Sequence, residues 1–331
     1  MKHLTLLEYG TFAGIRSELL IVKTGDQEKQ FPLKKLRTIS ISKKGITFSS
    51  DLILECSNRG IKLFFVDFKG VAVSALQSTQ SHAVVRVRHN QFSFIDKGYS
   101  DKLAREFIRG KLKNQRGVLL YNSKYLMKKD PAKGEILKIS AERIKQCVQR
   151  LDTINIEVQR EPKASLLGLE GAGAAIYWTA LRDAHLMPES FEKRIGRGAS
   201  DPVNSALNYG YAILTSYVWH CVINAGLEPY AGLLHEQRPG KPALVLDIME
   251  EYRPFVVDRV VLKMRNELSS ANSLSIPKRK RLINEIHKTF SKKMRYKGKS
   301  LKLESILQRQ IYRLAGSMAQ TVNYRPYIFD W

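Results

Sequence analysis

Cysteine is scarce in this sequence of 331 residues, and its three cysteines stand far apart. Cys56, Cys147 and Cys221 form no C-x-x-C pair, which argues against a disulfide framework and against a cysteine-ligated zinc site. The sequence also contains no G-x-x-x-x-G-K-[ST] motif and no H-E-x-x-H motif. A P-loop ATPase is therefore not indicated, and a zinc protease is disfavoured.

Long apolar segments are missing as well. The longest nearly uncharged stretch, residues 209–227, is interrupted by Asn and His and contains Gly, Ser and Thr. We therefore expect a buried core helix there and not a membrane span. The N-terminus has no apolar stretch before a small-residue cleavage site, so no secretory signal is recognised. We expect a cytoplasmic protein with no membrane partner.

Acidic residues are heavily outnumbered, with 31 Asp and Glu against 55 Lys and Arg, a net charge of +24. Such an excess implies a polyanionic partner, which could be nucleic acid, an acidic membrane surface or an acidic protein. The alternative is that these charges only keep the surface soluble. It is less favoured because a soluble domain needs a net charge of only about 2–8.

The charge is distributed unevenly along the chain. Residues 1–80 carry +5, residues 81–160 carry +10, residues 161–251 carry −4 and residues 252–331 carry +13. An acidic region inside a nucleic-acid-binding protein would repel phosphate. A divalent cation that bridges carboxylates and phosphate would remove this conflict, so the pattern hints at metal-dependent phosphodiester chemistry.

The first part of the chain has the pattern of a β domain. Short runs rich in Val, Ile, Leu, Thr and Phe alternate with turn signals such as Thr24-Gly25-Asp26. One helix is predicted near Leu52–Cys56, with N-caps at 49–51 and a stop at Gly60. We predict a small β-sandwich-like domain over residues 1–80. The predicted strands are Leu4–Tyr9, Leu19–Thr24, Thr38–Ser42, Ile61–Phe65 and Val71–Leu76.

From about residue 85 the apolar residues recur every three or four positions, which is the period of an α-helix. We therefore predict a larger all-α domain over residues 81–331, which makes the fold class α+β. The predicted helices are Tyr99–Tyr121, Ile136–Gln159, Leu166–Leu181, Pro202–Leu227, Leu244–Leu268, Leu274–Met294 and Leu301–Thr321.

The acidic region contains four side chains that could hold a metal ion. Glu170 is predicted to lie in the apolar stripe of a helix, where a carboxylate needs a partner. That partner could be a metal ion, a buried Arg or the end of a neighbouring helix. Asp247 is spaced to share a helix face with Glu250 or Glu251, and like charges there favour a cation between them. His235 is expected at the leading turn of that helix. Carboxylates with an imidazole suit Mg²⁺ or Mn²⁺.

Three motifs, in order along the chain, resemble those of the CRISPR adaptation integrases, the CRISPR-associated endonucleases of spacer acquisition. The resemblance covers nearly the whole chain. It implies that Glu170, His235 and Glu250 bind the metal and that Asp247 completes the catalytic set. The motifs are Gly168-Leu-Glu170-Gly171-x-x-Ala174, Asp201-Pro202-Val203-Asn204-x-x-Leu207-x-x-Gly210-Tyr211, and His235-Glu-x-Arg238-x-Gly240-Lys241-Pro-x-Leu244-x-x-Asp247-x-x-Glu250-Glu251-x-Arg253-Pro254.

The resemblance also implies a reaction and its partners. A 3′-hydroxyl of a short DNA fragment attacks a phosphodiester of the repeat array, so the expected substrates are double-stranded and branched DNA. The β domain is expected to form a homodimer, and a small adaptation partner protein to complete a heterohexamer. We expect DNA contacts from Asn204, Arg238, Lys241, Arg253 and Arg259, although these cations could simply be solvated.

Two other functions stay open at this point. The protein could be a non-catalytic nucleic-acid-binding scaffold in which the acidic cluster only forms ion pairs. It could also be an RNA-processing enzyme that uses a histidine as general acid and base, in which case its activity would survive EDTA.

Overall fold

The computed structural model describes residues 3–66, 72–76, 84–156, 162–196, 198–269 and 274–329. The chain divides into two compact units, Met1–His82 and Ala83–Trp331. The first is rich in β-strands and the second is mainly helical. The predicted α+β class, with a β-rich N-terminal part followed by a helical part, is confirmed.

The N-terminal unit contains two four-stranded sheets. In the first, three strands run parallel and the last is antiparallel. In the second, three strands are antiparallel and a short parallel strand closes the edge. The first sheet has the order β1 (His3–Leu6), β5 (Thr38–Ile41), β7 (Lys62–Val66), β8 (Ala72–Leu76). The second has the order β4 (Gln27–Pro32), β3 (Leu19–Thr24), β2 (Phe12–Arg16), β6 (Thr47–Phe48).

Helix α1 (Ser50–Asn58) packs into the core of this unit and begins and ends as its sequence predicts. The Ser49 hydroxyl accepts a hydrogen bond from the Leu52 backbone N–H at 3.3 Å, which is an N-cap. Gly60 adopts a φ of +67°, a left-handed conformation that glycine enters without strain. Leu52 and Cys56 face the core that Leu20 and Ile39 line.

The second unit contains ten α-helices among the described residues. Helix α3 packs against α4, α5 and α7, so it forms the centre of the unit. The helices are α2 (Val84–Asp96), α3 (Ser100–Leu126), α4 (Pro131–Thr153), α5 (Pro162–Asp183), α6 (Pro202–Asn224), α7 (Ala243–Arg253), α8 (Arg259–Lys263), α9 (Arg265–Ser269), α10 (Ile276–Ser291) and α11 (Leu303–Met318).

Two predictions for this unit were wrong in detail. The helix predicted over Leu244–Leu268 is interrupted by a π-helical turn at Pro254–Asp258. Proline has no N–H to continue the helical hydrogen bonds, so the ladder changes there. The C-terminal part also contains a hairpin, β9 (Lys293–Tyr296) with β10 (Lys299–Lys302), where only helices were predicted. Helix α6 is largely buried, and no described helix is long and apolar enough to cross a membrane.

Candidate metal centre

Three helices bring one lysine and two glutamates together. Lys111 lies on α3, Glu170 on α5 and Glu250 on α7. The Lys111 ammonium contacts the Glu170 carboxylate, and its Nζ lies 2.7 Å from Oε2 of Glu250. Arg253, one turn further along α7, places Nη1 2.6 Å from Oε1 of Glu250. Two carboxylates and two cations therefore form one buried cluster.

The charges in this cluster stabilise one another. Burial alone would raise the pKa of the Glu250 carboxyl, but Arg253, Lys111 and, to a lesser extent, His235 lower that pKa to about 2. Burial alone would lower the pKa of the Lys111 ammonium, but Glu250 and Glu170 raise it. Glu250 is therefore a carboxylate at neutral pH, ready to bind a cation without losing a proton.

A small residue, Gly173, allows α3 and α5 to approach closely at this centre. A Cβ atom at Gly173 would lie 2.2 Å from Cδ2 of Leu112, the neighbour of Lys111. A larger residue there would push the helices apart. Gly173 follows Glu170 by one turn, so this contact sets the separation between the Glu170 carboxylate and the Lys111 ammonium.

Asp247 fixes the position of His235. Its buried carboxylate accepts hydrogen bonds from the backbone N–H groups of Leu233, Leu234 and His235, at 2.6, 3.0 and 2.8 Å. It also lies 2.7 Å from Nδ1 of His235. Because Nδ1 donates to Asp247, Nε2 carries the lone pair and can bind a metal. Carboxylates often orient metal-binding histidines in this way.

This arrangement corrects two details of the sequence hypothesis. His235 lies in the loop before α7 and not in the leading turn of the helix. No cation is needed between Asp247 and its acidic neighbours, because backbone N–H groups satisfy Asp247. Glu251 accepts hydrogen bonds from the Tyr324 hydroxyl and, at 3.1 Å, from the Tyr327 N–H. Burial raises the pKa of the Glu251 carboxyl to about 8.

Asn204 does not face solvent as a DNA-contacting residue would. It is 1% exposed, and its amide is fully used within the protein. Its Oδ1 accepts from Arg194 and from the Ile195 N–H at 3.0 and 2.9 Å, and its Nδ2 donates to Lys193 and Asp201 at 2.8 and 2.9 Å. The expected direct DNA contact is therefore corrected to a structural role, in which Asn204 holds the loop before α6.

The four cations proposed for DNA binding have different surroundings. Arg238 is exposed and pairs with Glu236, and Lys241 is partly exposed on the same turn. Arg253 is mostly buried against Glu250, and its guanidinium lies 4.8 Å from the centre of the Tyr211 ring. Arg259 stacks over Tyr121 and Phe255. Lys241 and Arg238 are best placed to contact phosphate, because Lys241 is partly exposed and the carboxylate that pairs with Arg238 is itself exposed on the surface.

A cleft of about 420 Å³ opens beside the acidic cluster. Its lining carries two carboxylates, Glu192 and Asp258, against a larger number of cations. Gln115 adds a buried amide oxygen that has no hydrogen-bond partner among the described residues. A phosphodiester could therefore reach the centre through a positively charged passage. The lining cations are Lys111, Arg182, Lys193, Arg194 and Arg253.

The donors at the centre suit a divalent metal ion. Glu170 and Glu250 offer oxygens and His235 offers Nε2, a set that binds Mg²⁺ or Mn²⁺. The buried ammonium between the two carboxylates indicates that this position stabilises a positive charge. Within the described parts of the chain, no three His, Cys, Asp or Glu side chains are close enough to hold an ion together. The cation that Glu170 and Glu250 share in the structure is the Lys111 ammonium.

Sequence reasoning missed Lys111, although a signal was present. On α3, Lys111 follows Phe107 and Ile108 by one turn and precedes Gln115 by another, so it lies in the buried stripe of the helix. A lysine in such a stripe needs a carboxylate partner. That requirement, combined with the same requirement at Glu170, could have predicted the pair.

Comparison with known proteins gives consistent results. Residues 4–295 match the sequence profile of the family described as CRISPR associated protein Cas1. The chain is 47% identical over 332 residues to the CRISPR-associated endonuclease Cas1 1 of Francisella tularensis subsp. novicida, and the alignment covers 100% of both.

Solved structures share the fold at lower identity. A casposase bound to integration product has a TM-score of 0.78 and 21% identity, covering 98% of this chain and 93% of that one. A chain of a Cas6-RT-Cas1–Cas2 complex has a TM-score of 0.77 and 23% identity, covering 99% of this chain and 36% of that one. The order of a β-rich part and a helical part is therefore shared with known structures.

Proposed function

The chain belongs to the Cas1 family of CRISPR-associated proteins, and from this we propose that it is a divalent-metal-dependent DNA endonuclease and integrase of CRISPR spacer acquisition. The observation that carries the proposal is the meeting of Glu170 and Glu250 at one buried cation, with His235 near enough to lower the pKa of the Glu250 carboxyl. The name of the Francisella relative, an endonuclease, and the integration product bound by the casposase support the same reaction class.

Glu170, Glu250 and Nε2 of His235 would hold Mg²⁺ or Mn²⁺. When bound, the ion would supply Lewis-acid polarisation of the scissile phosphodiester. Asp247 keeps the proton of His235 on Nδ1, so that Nε2 keeps its lone pair. The low pKa of Glu250 keeps its carboxylate charged at neutral pH. These two residues therefore prepare the donors before any ion arrives.

The basic residues of the cleft bind and orient the DNA. Exposed Arg238 and Lys241 attract the phosphodiester backbone, and Arg194 and Arg182 line the passage to the centre. Lys111, once released from the two glutamates, can neutralise a non-bridging phosphate oxygen. Preorganised positive charge of this kind stabilises the additional negative charge of the transition state.

In strand transfer, the oxygen of a 3′-hydroxyl bonds to the phosphorus and loses its proton. The bond from that phosphorus to the 3′-oxygen of the target strand breaks, and the leaving oxygen takes up a proton. In hydrolysis, a water molecule replaces the attacking hydroxyl. One phosphodiester is exchanged for another in strand transfer, so ATP is not required, which agrees with the absence of a P-loop motif.

The assembly is also part of the proposal. The chain would form a homodimer through its β unit and join a small partner protein in a heterohexamer. The likeness to a chain of a Cas6-RT-Cas1–Cas2 complex supports a partner of the Cas2 type. The uneven charge supports separate roles for the two units, with dimerisation by the β unit and DNA binding by the helical unit. Residues 1–80 carry only +5, whereas residues 252–331 carry +13.

The test uses purified protein, branched DNA and Mn²⁺. We expect cleavage and strand transfer by the wild-type protein, and loss of both by more than about 100-fold in Glu170→Gln and in His235→Ala. Glu135→Gln, at a partly exposed position on α4, serves as the control and should keep full activity. DNA binding without cleavage by the wild-type protein would favour the scaffold, and cleavage that survives EDTA would favour acid–base chemistry without a metal.

A further inference from the structure

A second cavity, of about 510 Å³, lies between the β9–β10 hairpin, helix α11 and the C-terminal segment 323–329. We call it the tail cavity. Four cations line it, and no carboxylate does. It is separate from the cleft at the acidic centre, because the two share no lining residue. The four cations are Arg295, Lys297, Arg313 and Arg325.

The described residues offer these four cations no anionic partner. Among the described residues, none of the four forms an ion pair with a carboxylate, although the rest of the unit contains many such pairs. Arg295, Lys297 and Arg325 are also exposed. Four like charges around one cavity repel one another unless an anion joins them. The surroundings therefore favour a ligand with more than one negative charge.

The cavity is already formed in the protein. Arg313 donates to the carbonyl of Asn323 at 2.8 Å, and Gln310 donates to the carbonyl of Arg325 at 2.9 Å, so helix α11 holds the tail in place. At the hairpin turn, Lys297 and Gly298 both have positive φ, +47° and +77°. Two consecutive residues of this kind form a tight type I′ turn, which fixes the direction of the strand that carries Arg295.

Two tyrosines give the cavity an aromatic side. The rings of Tyr296 and Tyr327 lie with their centres 6.0 Å apart. The Tyr296 hydroxyl donates to Gln310 at 3.1 Å, and the Tyr327 hydroxyl donates to the carbonyl of Arg295 at 3.0 Å. Basic and aromatic side chains around one cavity are typical of sites that bind nucleic acid, in which cations contact phosphates and rings contact sugars or bases.

The tail segment connects this cavity to the acidic centre. On one side it lines the cavity with Arg325 and Tyr327. On the other side, Tyr324 and the Tyr327 N–H bind Glu251, the neighbour of Glu250 on α7. Asn114 of α3 donates to the Tyr327 carbonyl at 3.0 Å. The segment that lines the cavity is therefore hydrogen-bonded to the two helices that carry Lys111 and Glu250.

We propose that the tail cavity binds the phosphodiester backbone of DNA, as a second anchoring site outside the cleft. The inference rests on the proposed function only in taking DNA as the polyanion. DNA held in the cavity would contribute affinity and orientation, while bond breaking would take place at the acidic centre.

The test compares two double variants of equal charge. Arg295→Gln/Arg325→Gln removes two cations from the tail cavity. Lys293→Gln/Lys299→Gln removes two exposed cations from the same hairpin, outside the cavity. Binding of a duplex with a 3′ single-stranded overhang is followed by fluorescence anisotropy, without metal, from about 50 to 200 mM salt. The cavity variant should lose affinity on the order of 10-fold relative to the control, with a log–log salt slope shallower by about 2.

Equal affinities and salt slopes for the two double variants would overturn the proposal. It would also be overturned if the cavity variant bound DNA like the control but failed to bind the small partner protein, because the cavity would then be a protein-binding site. Cleavage by the wild-type protein is measured in parallel. If the wild-type protein binds DNA but cuts none, the proposed function fails, while the salt slopes still decide the role of the cavity.

Discussion

The ammonium nitrogen of Lys111 lies 2.7 Å from Oε2 of Glu250 and also contacts the Glu170 carboxylate. A side-chain cation thus occupies the position in which we propose a divalent ion. Since both would neutralise the same two carboxylates, Lys111 and the metal compete for the centre. The lysine keeps the buried carboxylates compensated when no ion is bound.

Replacing Lys111 should make stability depend on metal. Lys111→Met removes the ammonium, which leaves Glu170 without this cation and Glu250 with Arg253 alone. We expect it to lower the free energy of unfolding without metal by about 3 kcal/mol. Mn²⁺ should recover most of this loss, so the rise in Tm on adding Mn²⁺ should exceed that of the wild-type protein. Lys113→Met, at an exposed position two residues along α3, is the control. Equal Tm shifts in Lys111→Met and wild type would show that the ion binds elsewhere.

Asp247 should matter more for stability than the histidine it orients. In the wild-type protein, buried backbone N–H groups donate to both oxygens of Asp247. Asp247→Asn replaces one of these oxygens by an NH₂ group, which cannot accept them, and should lower the free energy of unfolding by about 2 kcal/mol or more. His235→Ala removes one hydrogen bond at a partly exposed side chain, and should cost about 1 kcal/mol. Urea unfolding of both variants measures the two costs. The reverse order would contradict the assignment of Asp247 as the anchor of the loop.

Asp258 should give the protein a pH-dependent stability. Burial raises the pKa of its carboxyl to about 6, against the lowering effect of the Tyr211 hydroxyl at 2.6 Å and of nearby Arg194. A raised pKa in the folded state favours the protonated form, so its contribution to stability is complete below the unfolded pKa near 4 and is lost as the pH rises through about 6.

Asp258→Asn keeps the shape of the side chain and removes this titration. Between pH 5 and pH 8, the wild-type protein should therefore lose about 1–2 kcal/mol of unfolding free energy relative to the variant. Urea titrations at both pH values give the difference, and Asp96→Asn at an exposed position is the control. A constant difference between wild type and Asp258→Asn would show that the pKa is not raised.

The cations near the acidic centre should fall into two groups, those that bind DNA without affecting stability and those that stabilise the fold. Arg238→Gln and Lys241→Gln should leave stability within about 0.5 kcal/mol and make the salt slope of DNA binding shallower by about 1 each, as expected for phosphate contacts. Arg253→Gln leaves Glu250 with one partner fewer and should cost about 2 kcal/mol or more of unfolding free energy. Similar unfolding costs in all three variants would contradict this division.

Local signals predicted much of the fold. Strand β3 was predicted over the observed Leu19–Thr24, and helix α1 from its cap at Ser49 and its stop at Gly60. Strand β4 (Gln27–Pro32) was missed, because an exposed edge strand of mostly polar residues shows no apolar alternation. The β9–β10 hairpin was missed for the same reason, since Lys and Arg make up half of its strand residues and the helical period continues on both sides.

For the candidate site, the sequence indicated the acidic residues but not their partners. Glu170 was chosen because a carboxylate in an apolar stripe needs a partner, and Glu250 because of its spacing from Asp247 and the family resemblance. Neither argument identifies the cation that the two carboxylates contact. Lys111 is distant from both in sequence, so only the packing of α3 on α5 and α7 brings it to them. For Asn204, the motif led us to expect a DNA contact, but a position in a motif does not show whether the side chain is buried.

The most direct measurement is an anomalous diffraction map of crystals soaked in Mn²⁺. We predict a single strong peak within bonding distance of carboxylate oxygens of Glu170 and Glu250 and of Nε2 of His235, with the Lys111 ammonium moved away from both glutamates. A map with Lys111 still between the two carboxylates and no manganese peak beside them would contradict the proposed metal centre.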